Sequence, residues 1–265
     1  MKKKILSFAM VCAMILSVGG CGGSEYAREK DFHHNYDDEL GGDRIVWYKG
    51  KETTLNIPPT IEGKKVVCIG EPEVHFFWDD FESQVEYITI PDGVTRIECY
   101  TFDYCSNLKN ITIPNTVTEI GEGAFFKCSS LESISIPNDV TEIGVDTFCG
   151  CKSLKSIVIP DNVTEIGYAA FQGCTNLESI TFSSNITKIG SYAFDRCASL
   201  KSLTIPDGVE SIGYFTFMDC TNLESITIPD SVTEIGWDVF KGCPNLTEIN
   251  ANPKIKLLIT AQQSQ

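Results

Sequence analysis

From Ile88 onward the chain repeats one arrangement of apolar and polar positions every 23 residues. Ile88, Ile111, Ile134, Ile157, Ile180, Leu203, Ile226 and Ile249 fall in one column, each followed two places on by another apolar residue. Phe102, Phe125, Phe148, Phe171, Phe194, Phe217 and Phe240 form a second column, and Cys105 to Cys243 a third, all without an insertion. A fixed period near twenty residues predicts a solenoid in which each coil touches only its neighbours.

One coil reads L-x-x-I-x-I-P-x-x-V-T-E-I-G-x-x-A-F-x-x-C. Ile134 and Ile136 alternate with Ser135, the spacing of a strand with its apolar side inward. Pro137 brings no N–H to a ladder and ends that strand. Val140 and Ile143 begin a second inward run, Gly144 permits a tight bend, and Phe148 fills the interior. Each coil is therefore a strand, a turn, a short extended return and an irregular corner. The strands are expected to stack in parallel at about 4.8 Å, which gives eight coils a length of about 40 Å. The apolar groups of one coil offset less than the entropy of ordering it, so the core must run through the stack and both ends need covers.

Two positions break the consensus: Glu98 stands where Gly is expected and Ser183 where Pro is expected. Before the regular array, Leu55, Ile57, Pro58, Val66, Ile69 and Gly70 fit a longer, irregular coil. Ile45–Tyr48 and Thr53–Ile57, joined around Lys49, Gly50 and Lys51, read as a hairpin covering the N-terminal end. Residues 44–85 are thus assigned to the N-terminal cap and irregular repeat, 86–250 to the solenoid, and 251–265 to a C-terminal cap or tail.

The front of the chain differs. Lys2, Lys3 and Lys4 precede an apolar run from Ile5 to Val18 that is shorter than the roughly 20 residues a membrane span needs. Residues 1–20 read as an export signal, and the small residues before Cys21 resemble the lipobox of bacterial lipoproteins. That resemblance implies a diacylglyceryl thioether on Cys21 and a membrane link through lipid. Residues 21–43, Gly-rich and then acidic, read as a flexible tether. The net charge is −15, and loss of the three lysines takes it to −18. A surface of that sign repels phosphate backbones and anionic headgroups, which excludes nucleic acid as a partner.

The repeat motifs, over residues 86–250, resemble the BspA-like bacterial leucine-rich-repeat family, although the Asn ladder of the common leucine-rich pattern is absent. The resemblance implies a leucine-rich-repeat solenoid at the cell surface, on the extracellular face of a bacterial membrane, that binds or adheres to host or neighbouring-cell protein. No Ser/His/Asp or Cys/His set on a readable elbow and no phosphate-cradling loop stands out, so binding without catalysis or cofactor is expected. Asp31, His33, His34, Asp37 and Asp38 are of metal-ligating types, but no rigid spacing recurs and no metal is expected.

Stacked column cysteines would point the same way about 4.8 Å apart, wider than the roughly 3.5–4.5 Å between disulfide β-carbons, so they read as buried thiols. Glu86, Lys109, Glu132, Lys155, Glu178, Lys201 and Glu224 alternate in sign along one outward column and read as a register-fixing ladder. The rest of the strand face, from Thr112 and Ser133 to Thr227, is small and polar. The corner is richer: Tyr168, Tyr192, Tyr214, Phe215 and Trp237 occupy the two variable positions after the Ile-Gly bend, and Phe126 and Met218 follow the repeat Phe. These are either anchors for a protein partner or rings that half-bury against one another. The segment His75–Trp78 carries the same two readings. A glycan stacked on Tyr192, Tyr214 and Trp237, or a plain structural spacer, are the alternative functions.

Overall fold

The computed structural model describes residues 26–71, Phe76 and residues 84–263. It is a parallel-strand solenoid of about nine turns, with one α-helix at its C-terminal end. One wall consists of short strands at 54–56, 87–89, 110–112, 133–134, 156–158, 179–181, 202–204, 225–227 and 248–250. A second wall is made by 64–69, 96–97, 119–120, 142–143, 165–166, 188–189, 211–212 and 234–235. Register follows the 23-residue step: Ile88 pairs with Ile111, Ile157 with Ile180, and Ile189 with Ile212.

The strands are short because the repeat Pro stops them. Its carbonyl then accepts the amide of the residue three on, as in Val117 N–H to Pro114 O at 3.1 Å and Val140 N–H to Pro137 O at 3.2 Å. At Ser183 the buried hydroxyl does the work of the ring, accepting Asn185 N–H at 3.0 Å and donating to Asp161 O at 3.3 Å. Inside, the repeat phenylalanines stack face to face with centroids 5.4–5.7 Å apart from Phe102 to Phe240. Phe76, fully buried, prolongs that column into the irregular coil by meeting Phe102 edge-on at 5.4 Å. Its neighbours His75, Phe77 and Trp78 lie outside the described residues, as do Cys21 and the export segment.

The N-terminal cover is a hairpin, but not the expected one. Strand β1 (Phe32–Asp37) pairs antiparallel with β2 (Gly42–Tyr48), and β2 lies parallel on the 64–69 strand. Thr54–Asn56 instead joins the first wall, Leu55 opposite Ile88. The acidic stretch read as a tether is therefore ordered from Phe32 on. Asp37 closes its turn by accepting Glu39 and Leu40 N–H at 3.0 and 2.9 Å, and Phe32, Ile45, Val46 and Tyr48 are buried. The extra residues of the irregular coil fold as a small hairpin, Thr60–Ile61 against Lys64–Lys65. Its turn residues Glu62 and Gly63 have φ of 51° and 78°.

Arg44 on β2 ties this cover to the stack. Its guanidinium meets Asp37 at 2.6 Å and Glu98 at 2.5 Å and donates to Gly70 O at 3.2 Å. The Gly-to-Glu exception at 98 is thereby explained: the first regular coil needs a carboxylate for the cap. At the other end, Asn252 Oδ1 accepts Ile255 N–H at 3.0 Å and starts the helix Pro253–Gln263. Ile255 and Ile259, one turn apart, are buried under it and close the core.

Candidate binding surface

The corner is where the chain departs most from regular structure. After the Ile-Gly bend, the second variable position is left-handed in coil after coil: Tyr100 (φ 55°), Asp146 (55°), Ala169 (51°), Tyr192 (59°), Phe215 (55°) and Asp238 (53°). Four residues further on, Tyr104, Lys127, Arg196 and Asp219 repeat the conformation at 55–58°. Bulky residues rarely adopt it, at a cost of about 1–2 kcal/mol each. Here the turn sends each amide along the stack to the following coil, as in Tyr192 N–H to Tyr214 O at 2.9 Å and Arg196 N–H to Met218 O at 2.7 Å. The bend itself brings the coils close: a β-carbon on Gly167 or Gly190 would sit 2.7 Å from the preceding coil's backbone, and one on Gly213 or Gly236 would be nearer still.

This geometry sorts the seven candidate side chains. Those at the first variable position stand outward, with Tyr168, Tyr214 and Trp237 50%, 52% and 61% exposed. Those at the second lie half-buried along the corner: Tyr192 stacks on Phe215 at 5.0 Å and touches Tyr168 at 5.5 Å. Phe126 and Met218 are half-buried, Phe126 edge-on to Tyr104 at 5.5 Å. The corner is therefore divided, with the first-position rings facing solvent and the second-position rings half-buried against one another. Tyr100 and Tyr104, each 38% exposed, extend the aromatic surface toward the N-terminus. Tyr100 shares the column of Tyr192 and Phe215, the signal available for it in the sequence, whereas the column of Tyr104 holds no other ring.

Lys127 shows what such rings accommodate. Its ammonium sits 4.7 Å over Tyr104 and 4.8 Å over Phe126 and donates to the Tyr104 hydroxyl at 3.1 Å. Deeper in the corner Gln172 Nε2 donates to Asp195 Oδ2 at 2.8 Å, while Asp195 Oδ1 has no partner. Burial holds the carboxyls of Asp195 and Asp146 above their ordinary range.

The cysteine column is unpaired. From Cys128 to Cys243 each thiol donates to the carbonyl of the preceding coil's Phe, as in Cys128 to Phe102 at 3.0 Å, Cys151 to Phe125 at 3.2 Å and Cys197 to Phe171 at 3.2 Å. Burial pushes the thiols of Cys105, Cys151, Cys174 and Cys197 well up, away from the reactive thiolate. Outside the column, Cys68 and Cys149 are also unpaired and raised to about 12, chiefly by burial.

The strand wall offers less. In the alternating charge column, Lys109 meets Glu86 at 2.8 Å, while the other neighbours of that column, all described, form no ion pair. The wall opens between 179–181 and 202–204, where the ladder is interrupted. There a shallow groove of about 560 Å³ is lined by Glu178, Ser179, Thr181, Phe182, Ser202, Thr204 and Asp207. Among the described residues, no group of three or more His, Cys, Asp or Glu is placed to hold a metal ion. His33 stacks on Trp47 and His34 meets the buried Asp43 at 2.7 Å. No described helix is long and apolar enough to cross a membrane.

The chain matches the family described as BspA type Leucine rich repeat region in six copies, over residues 79–186 and 141–261. Among solved structures, a leucine-rich-repeat protein of T. pallidum is 27% identical, covering 90% of this chain and 96% of that one, with a TM-score of 0.65. A leucine-rich cell surface protein of Faecalibacterium prausnitzii A2-165 is 25% identical, covering 87% and 77%, with a TM-score of 0.59. No curated protein matches the sequence.

Proposed function

Because this chain belongs to the BspA-type leucine-rich-repeat family, we propose that it is a cell-surface protein that binds another protein through the corner of its solenoid, without catalysis. The observation that carries this reading is the row of outward rings, Tyr168, Tyr214 and Trp237, held at fixed spacing on a rigid stack. Exposed aromatics on a rigid support lose little entropy on binding and are the side chains that dominate interface energetics. The description of the Faecalibacterium relative as a cell surface protein supports the location.

Membrane attachment is assigned to a diacylglyceryl group on Cys21, on the strength of the lipobox-like segment. Metabolic labelling with a palmitate analogue should mark the protein and fail with Cys21→Ala. Label retained in that variant removes the anchor from the proposal.

The binding surface is tested by probing extracellular protein and glycan arrays with the chain and with a Tyr214→Ser, Trp237→Ser double variant. A protein ligand lost by the variant, with thermal unfolding unchanged, supports the corner. A ligand held equally by both moves the site elsewhere. The hydroxyl-lined groove around Phe182 favours a second reading, glycan binding on the strand wall. In that case a saccharide, and no protein, is retained, and Phe182→Ala abolishes it.

A further inference from the structure

Charge is distributed unevenly along the stack. Residues 110–204 carry ten carboxylates against six cationic side chains, whereas residues 205–250 carry eight against Lys241 alone, a net charge of −7. The closing helix adds only Lys254 and Lys256. This acidic stretch bears the two most exposed rings of the corner, Tyr214 and Trp237. Four residues before Tyr214 and three before Trp237, Glu210 and Glu234 are exposed and, among the described residues, form no ion pair. Glu234 precedes Trp237 by three residues and, like it, stands on the outward side of its segment.

The same corner elsewhere already holds a cation. Between Tyr104 and Phe126 the position is filled from within by the Lys127 ammonium. On the C-terminal coils the corresponding left-handed positions are Asp219 and Gly242, and the nearby Lys241 ammonium is turned to Asp238 at 3.1 Å. Rings backed by carboxylates attract ammonium and guanidinium groups through both the quadrupole and the charge.

We propose that the C-terminal corner, Tyr214 and Trp237 flanked by Glu210 and Glu234, captures an extended lysine- or arginine-rich segment of a partner protein. This deepens the protein-binding reading and rests on it. Lys127, in other columns of the same corner, shows a cationic head lying over two rings of this surface.

The test uses fluorescein-labelled oligolysine and a net-neutral Lys/Glu peptide of equal length, measured by fluorescence anisotropy at low and physiological salt. The oligolysine should bind and the neutral peptide should not, with affinity falling as salt rises. Trp237→Ala with Tyr214→Ala, which changes no charge, should weaken oligolysine binding about tenfold. Glu210→Gln with Glu234→Gln should weaken it comparably, and Glu224→Gln, on the strand wall of the same coils, should not. Thermal unfolding of each variant verifies the fold. No binding at low salt overturns the proposal, and so does equal loss in all three variants or retention by the ring variant. A protein partner that needs Trp237 and Tyr214 but is not displaced by oligolysine overturns this inference and leaves the protein-binding reading standing. A partner indifferent to both rings overturns that reading itself.

Discussion

At one end of the stack Arg44 grips Asp37 and Glu98 at 2.6 and 2.5 Å; at the other, Ile255 and Ile259 of the closing helix bury under a face with no ion pair among the described residues. The two covers solve the same problem, an open apolar cross-section, with opposite physics. The hairpin needs charge because β1 and β2 bring polar residues such as His34, Asn35 and Asp37 to the edge of the second wall, and paired ions make that edge specific. The helix needs none, since its backbone groups are satisfied internally and one apolar stripe suffices.

The contrast is broken most sharply at Arg44. Arg44→Ala removes the guanidinium shared by two largely buried carboxylates, leaving Asp37 its backbone amides and Glu98 only Arg96, at 4.0 Å, as a cationic partner, and should cost the N-terminal cover about 3 kcal/mol. Hydrogen exchange should rise over residues 32–69 while residues 253–263 stay protected. Ile255→Ala removes buried hydrocarbon and should cost about 2–4 kcal/mol, with exchange rising at the helix instead.

Acid should separate the ends further. The amide of Leu40, together with Arg44, holds the Asp37 carboxyl below its ordinary value, against the opposing effect of burial. A depressed folded pKa contributes stability that is complete above the unfolded value near 4 and lost as pH falls through the folded one. Asp146 and Asp195 carry the reverse sign, since their raised values make the corner gain stability on protonation. Exchange measured from neutral pH to below 4 should therefore show the hairpin loosening before the corner or the helix.

Smaller effects sharpen the picture between the caps. Arg196→Gly relieves an exposed left-handed residue in a column where Gly150, Gly173 and Gly242 already stand, and should raise stability by about 0.5 kcal/mol. Reducing agent should shift neither end, because the thiol column is unpaired. Titration after denaturation should recover those thiols, and recovery of none would contradict the geometry.

Repetition made the interior legible. The Phe and Cys columns and the strand register could be read because each is stated seven times over, and the inward direction follows from alternation. What occurs once could not be read that way. The Arg44–Glu98 contact spans 54 positions, and only the misplaced Glu98 hinted that something unusual met that coil. The hairpin was misassigned because Thr54–Asn56 carries the strand pattern of the first wall, while β1 looks like acidic linker until its partner is known. The charge column was overread, since backbone stacking sets the register without it. In the corner, positive φ falls on Tyr, Phe, Arg and Lys, residue types that give no local warning, so the split between outward and half-buried rings was not visible.

The amide of each corner reaches ahead to the next coil, and each column thiol from Cys128 on reaches back to the last. Every interior coil consequently offers complementary groups on both of its faces, and a copy inserted beside it would meet partners already waiting. Such a rod can change length by whole coils, while the two lids, each a one-off, remain where they are. The span of the stack is then set independently of the lids that close it.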